Sequence, residues 1–308
     1  MNLHELRPPR LPRLPALVAL AALLAPSGVR PSEACMLVSG ANHRVRVEAE
    51  EALIVYDPAS RTEHFIRKAD FRSDGQPFGF IVPTPTRPTL AEADEAVFTR
   101  LAARYGIAPR ALRARGAPGA RGLPGVVVVE VQRVAGLDAT VLRANDATAL
   151  AAWLGARGFA HRPAITAWLG RYTTGDWHLT AFRYNGGPRS QVGSRAVRLS
   201  FTTDAPFYPY AEPSDQPQES GRRFRLTVVA PQRVEGVVGS APWAARVGYA
   251  GNTPLGTLLR GAVPETFALA GAWMTTFEER DSRRGASDLT FRNAAAQTAV
   301  RASIQVFR

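Results

Sequence analysis

The sequence predicts an α+β fold, a largely antiparallel β-sheet with three or four helices grouped between strands. Three observations carry this expectation. Apolar residues recur at every second position along most of the chain, the signature of strands with one buried face. Several of these runs are joined by links too short for the helical crossovers that a parallel sheet needs. The period changes to three and four in only a few places, and those places do not alternate strictly with the strands.

In chain order, Val45 and Val47 alternate with arginines and EALIVYD (51–57) follows as a more buried run. EHFIRKADF (63–71) and FGFIVP (78–83) read as further strands, with Asp57-Pro58 and Asp74-Gly75 as turns. Leu90 to Glu95 is expected to open a helix with acids in its first turn, where the helix dipole favours them. Val97, Phe98, Leu101 and Tyr105 would share one face of that helix. Residues 106–125 are crowded with glycine, proline and arginine and read as a flexible surface loop. VVVVEVQRV (126–134) is a strand. Asn145 or Asp146 caps a helix through Leu150, Trp153 and Leu154, and Pro163 starts a short one that aligns Ile165, Trp168, Leu169 and Tyr172. Strands resume at 177–184, 197–201, 224–229, 273–277 and 302–307, about ten in all. The segment from Asp204 to Ser220 is rich in proline and irregular.

The stretch PFGFIVPTPTRP (77–88) puts Phe78, Phe80 and Val82 on one strand face. Pro83, Pro85 and Pro88 then remove backbone donors and favour an extended path. It reads as a stiff link from sheet to helix. The alternative is an exposed docking rail, with Tyr208 and Tyr210 beside it as surface binding candidates.

The formal charge is +12, yet 37 of the 38 basic residues are arginine and they are scattered rather than clustered. Arginines alternating with apolar residues, as in Arg223-Phe224-Arg225-Leu226, read as a solvated strand face and not as a stripe that tracks phosphates. No nucleic-acid partner is expected; contact with an envelope protein or an anionic glycan is.

Arg7, Arg10 and Arg13 precede the apolar run Ala16 to Ala25, and small residues at Ser32 and Ala34 mark a cut before Cys35. That order is an export signal, so residues 1–34 are read as a cleaved leader and 35–308 as a single exported domain. An apolar run of about ten residues makes a helix of roughly 15 Å, half a bilayer core, and no transmembrane span is expected after processing. Cys35 is the only cysteine, so the fold must hold by its core without an internal disulfide. Ser32 stands where a lipid-attachment motif places an apolar residue; a terminal thiol without a lipid is the reading, and a lipid anchor the alternative.

The chemistry written into adjacent residues is sparse. There is no GxxxxGK[ST], SxxK, HExxH or GxSxG, and Lys68 is the sole lysine, so no cofactor motif is present. His43, His64, His161 and His178 show no metal-ligand spacing. Asp70 and Asp74 around Gly75 lack the alternation and closing Glu of a calcium loop and read as a hairpin turn. Glu278-Glu279-Arg280-Asp281 reads as a solvated turn.

EALIVYD, EHFIRKADF and FGFIVPTPTRPTLAEADEAVFTRLAA, then ALAAWLGARGF (149–159) and AITAWLGRYTTGDWHLTAFRY (164–184), form an ordered series. With VRLSFTTDAPFYPYAEPSD (197–215), AWMTTFEER and SDLTF, the series resembles the exported bacterial family called domain of unknown function 2330, over most of residues 35–292. Cys35 fits the start of that family's mature chains, whereas Met36-Leu37-Val38 departs from the small residues found there. The resemblance implies export and a shared fold, and no activity or catalytic residue comes with it. The functional expectation is a non-enzymatic binding or scaffolding module of the cell envelope. The competing expectation is a glycosidase-like envelope hydrolase whose carboxylates, with Asp57, Asp70 and Asp176 as candidates, converge only in three dimensions.

Overall fold

The computed structural model describes residues 37–39, 45–105, 126–159, 162–186, 191–215, 222–252, 254–264, 271–280 and 284–302. The first strands are β1 (Leu37–Ser39), β2 (Val45–Asp57), β3 (Thr62–Ser73), β4 (Phe78–Thr84) and β5 (Thr89–Glu92), followed by helix α1 (Ala96–Arg104). The hairpin β6 (Val126–Val134) and β7 (Leu137–Ala144) leads into α2 (Ala147–Gly155) and α3 (Pro163–Leu169). Next come β8 (His178–Tyr184), β9 (Gln191–Gly193), β10 (Val197–Thr202), β11 (Phe207–Tyr208), β12 (Arg223–Ala230) and β13 (Val234–Val238). The chain ends with β14 (Ala241–Pro242), β15 (Arg246–Asn252), β16 (Trp273–Arg280), β17 (Leu289–Asn293) and β18 (Val300–Arg301).

These strands build three sheets. A five-stranded sheet runs β1-β4-β8-β7-β6 and a four-stranded one β11-β17-β13-β14. A nine-stranded sheet runs β18-β15-β16-β12-β2-β3-β10-β5, with β9 also on β3. The pairings are antiparallel except that β12 lies parallel to β2 at the middle of the large sheet. Among the described residues, mostly antiparallel and mixed sheet with three helices therefore replaces the expected count of about ten strands and three or four grouped helices. α1 stands alone between β5 and β6, and only α2 and α3 are neighbours in sequence. The extra strands are short pieces such as β11, β14 and β18, whose few residues show no period of their own.

One expected helix start is corrected. Leu90 and Glu92 belong to β5, which pairs with β10, and α1 begins at Ala96 with no acid in its first turn. Sheet pairing overrides a helical preference here. Asp146 does cap α2, its carboxylate accepting from Ala149 N at 2.6 Å, and Pro163 does open α3. The loop expectation for 106–125 lies outside the described residues, as do Ala34, Cys35, His43 and His161 and all but the start of the strand expected at 302–307.

Three apolar cores follow from this layering. One face of the nine-stranded sheet, with Phe65, Phe71, Phe224 and Phe277, packs on the other two sheets through Phe80, Phe182, Tyr208 and Phe291. The opposite face meets α1 and the segment Leu255–Ala262. The outer face of the five-stranded sheet, with Ile81, Leu142 and Leu179, is covered by Leu150, Trp153, Leu154, Ile165 and Trp168 of α2 and α3. The proline-threonine stretch is a stiff link, as expected, but one between two sheets. All of β4 is buried, and after Pro88 the chain enters β5 at the edge of the large sheet. No helix among the described residues is long and apolar enough to cross a membrane.

Candidate functional site

Two rows of charged side chains, one on each large sheet, are the sites the fold builds. The first is closed. Glu50-Glu51 on β2 and Glu278-Glu279 on β16 are doublets, and adjacent strand residues point to opposite faces. β12 lies between those strands, with Arg225 in register with Glu51 and Glu278, and Phe224 in register with Glu50 and Glu279. On one face Arg225 donates to Glu51 and Glu278, both at 2.9 Å, and Arg246 also reaches Glu278. On the other face the centre of the row is Phe224, and the cation comes from a separate segment: the guanidinium of Arg284 lies 4.4 Å from the centre of that ring and 4.5 Å from that of Tyr210.

Around this inner row every element supplies a partner. Arg67 Nε and the Tyr208 hydroxyl donate to Glu50 Oε1 at 2.7 and 2.8 Å. The Tyr210 hydroxyl and Trp243 Nε1 donate to Glu279 Oε1 at 2.5 and 3.0 Å. Arg222 donates to Glu212 at 2.6 Å. Arg284, fully buried, has Glu279 Oε2 at 3.8 Å and Glu50 Oε2 at 3.9 Å, beyond hydrogen-bonding reach. Burial pushes the Glu50 carboxyl up, yet Arg67 and Arg284 outweigh it and hold it below the usual range. Glu63, fully buried on the same face, has no such cation among the described residues. It accepts from Phe207 N at 2.7 Å, and burial holds its pKa well above normal.

This row corrects three expectations. Tyr208 and Tyr210 are buried, not surface binding candidates, because the Phe207–Ala211 segment turns under the large sheet and delivers both hydroxyls to carboxylates. Glu278 and Glu279 are buried strand residues, not a solvated turn. Arg67, Arg222, Arg225 and Arg284 are buried too, so the arginines are not uniformly a solvated face. The signal available in the sequence was the doublets themselves. A strand carrying two successive acids must turn one toward each face, and a central strand has no solvent face.

The second row is open. α2 and α3 cover only part of the outer face of the five-stranded sheet, and one pair beyond Ile81 and Ala181 the register sets Gly79, Arg183, Asp138 and Arg133 side by side across β4, β8, β7 and β6. The neighbouring row is Val131, Thr140 and Ala181. These residues floor a cleft of about 440 Å³ whose wall is Trp153, Arg157 and Phe159.

Local sequence explains the wall. Gly158 ends the helical turn at φ 79°, a left-handed value suited to glycine, and Phe159 N closes back on Leu154 O at 3.1 Å. Phe159 then lies on Gly79; a Cβ at that position would fall inside its ring and within 2.6 Å of the Phe182 carbonyl oxygen. Arg157 stacks on Trp153, 3.6 Å from the ring centre, and donates to Trp153 O at 3.2 Å; burial lowers its pKa. Trp153 is buried, and its indole N–H has no hydrogen-bond acceptor among the described residues. Asp138 accepts from Asn185 Nδ2 at 2.7 Å. Neither Arg133 nor Arg183 has an ion pair within 4 Å among the described residues. The cleft thus carries three arginines, Arg133 and Arg183 of the row and Arg157 of the wall, against one aspartate in a site of ligand size.

The structure does not gather the candidate carboxylates. Asp57 serves its own turn, accepting from Ala59 N and Ser60 Oγ at 2.9 and 2.7 Å. Asp70 lies eight positions along β3 from Thr62, the partner of Asp57, so the two are roughly 26 Å apart at 3.3 Å per residue. Asp176 is held by Arg143 at 2.9 Å. His64 bonds Ser200 Oγ through Nδ1 at 2.8 Å, and burial, with Arg198 nearby, lowers its pKa to about 4. His178 Nδ1 bonds the carbonyl of Asp176 at 2.7 Å, and burial lowers its pKa as well. No group of three or more His, Cys, Asp or Glu among the described residues could hold a metal ion.

The sequence profile of DUF2330, described as uncharacterized protein conserved in bacteria, matches residues 31–292. A search of curated proteins returns no match. Among solved structures, the crystal structure of baculovirus P35 is similar at 5% identity and a TM-score of 0.38, over 84% of this chain and 96% of that one. A likeness that weak carries no argument about this chain.

Proposed function

The chain belongs to the DUF2330 family of bacterial proteins, and from that premise we propose that it is an exported cell-envelope module that works by binding, with the Arg133–Asp138–Arg183 row holding an acidic ligand. The observation that carries this reading is a pair of cleft arginines that form no ion pair among the described residues. In the large sheet Arg225 meets Glu51 and Glu278 in register, whereas Arg133 and Arg183 line a cleft with only Asp138 between them. A guanidinium that water reaches and no carboxylate holds presents a planar fork of donors that suits a carboxylate, phosphate or sulfate. Export rests on the basic, apolar and small-residue order before Cys35. The hydrolase reading loses its support, because Asp57 serves its own turn, Asp176 is held by Arg143, and Asp70 lies far along β3 from Asp57.

The test is affinity capture of the purified protein on envelope extract and on carboxylated polymer, at low and high salt. Retention that is lost at high salt, and lost in the Arg133→Gln/Arg183→Gln protein, is expected. Retention that survives both treatments would overturn the assignment. The accompanying check on export is mass spectrometry of the protein from the producing cell: a first residue at or near Cys35 is expected, and an intact leader refutes it.

A further inference from the structure

Resting on the acidic-ligand reading, we infer that the cleft recognises one carboxylated sugar unit of a polysaccharide, a uronate, rather than acidic polymers in general. Charge alone would call for arginines only. The row instead alternates Arg133, Asp138 and Arg183 on neighbouring strands, about 4.8 Å apart from one strand to the next. A carboxylate on one arginine therefore sits a sugar-ring breadth from an aspartate that accepts hydrogen bonds and donates none. Hydroxyl groups fit that neighbour and a second anion does not, since like charges at this spacing repel. Thr140 supplies a further hydroxyl partner on the floor.

The rest of the cleft suits a ring as well. Phe159, fixed against Gly79, and Val131, which is 49% exposed, give apolar borders of the kind that cover sugar C–H faces. The indole N–H of Trp153 is a buried donor in the wall with no acceptor among the described residues. The volume of about 440 Å³ lies in the range of small-ligand pockets, and the exposure of Val131, Arg133 and Asn185 leaves one side open for the polymer to continue.

The experiment is calorimetric titration of the purified protein with galacturonate oligomers, polyglutamate and a neutral glucan oligomer at low salt, with Asp138→Asn and Arg183→Gln as variants. Galacturonate oligomers are expected to bind, the neutral glucan not, and polyglutamate at least tenfold more weakly. Arg183→Gln should weaken galacturonate binding by about 10- to 100-fold, the scale of a lost charge-assisted hydrogen bond. Asp138→Asn should weaken galacturonate but leave polyglutamate equal or tighter. Independently of any variant's folding, the indole N–H resonance of Trp153, assigned by its loss in Trp153→Phe, should shift on adding galacturonate and stay put with polyglutamate. Equal binding of both acids, with Asp138→Asn without effect, overturns the sugar inference and leaves the acidic-ligand reading standing. Binding of neither acid at low salt overturns both.

Discussion

The two charged rows are near inversions of each other. On β2, β12 and β16 the order is Glu51, Arg225, Glu278, buried and paired in register. On β6, β7 and β8 it is Arg133, Asp138, Arg183, at the edge of a cleft and without ion pairs to those arginines among the described residues. The same strand register that satisfies one row leaves the other with cations to spare. What separates them is cover: α1 lies on the face that holds Arg225, while α2 and α3 stop short of Arg183. A buried row must neutralise itself, because an uncompensated charge there costs far more than at the surface. A row at the rim of a cleft is free of that demand, and an incoming group can complete it.

Removing the centre of the closed row is the severest way to break this contrast. Arg225→Met leaves Glu51 and Glu278 without their shared cation and should cost about 3–5 kcal/mol in a denaturant titration; a cost below about 1 kcal/mol would mean the row is not structural. Gly79→Ala comes next. The new methyl meets the Phe159 ring and the Phe182 carbonyl, which should cost about 1–3 kcal/mol and weaken ligand capture together, since Phe159 walls the cleft.

Glu63 sharpens the comparison from another side, as a buried carboxyl with no cation beside it among the described residues. Its folded pKa lies above the unfolded value, so the folded state holds the proton more tightly. Its contribution is complete at low pH and is lost as pH rises above the ordinary Glu value toward the folded one. Glu63→Gln should therefore stabilise the protein at neutral pH, by about 1 kcal/mol as is usual for single stabilising changes, and flatten the melting temperature against pH there. A melting temperature that falls on this substitution would contradict the burial argument. The smallest effect on stability belongs to Arg133→Gln, within about 0.5 kcal/mol as for ordinary surface positions, although ligand capture should drop sharply.

Much of the strand framework was legible from alternation alone. Phe78, Phe80 and Val82 do share a face against Phe71 and Phe182, and Asp146 and Pro163 do start their helices. Leu90 to Glu92 misled because its local preference is helical while β10 offers it a strand partner more than 100 residues away in the chain, Leu199 opposite Leu90 and Val197 opposite Glu92, which no local window contains. Neither charged row was legible. Arg133 and Arg183 are 50 positions apart and look like ordinary polar-face residues until the register aligns them. The buried tyrosines were hidden by their prolines, since a proline-tyrosine turn reads as exposed until the acids beneath it are known.

The parallel pairing of β2 with β12 has a consequence for how the polypeptide comes into being. The two central strands lie some 170 positions apart, and β16, which closes the acidic doublets around Arg225, comes later still. Contacts of such high sequence separation form slowly, and they cannot form at all while the later part of the chain is still on the ribosome. The nascent molecule is thus kept from completing its central sheet until synthesis is nearly over, and a chain in that state remains threadable. On the export proposed above, the fold supplies its own delay.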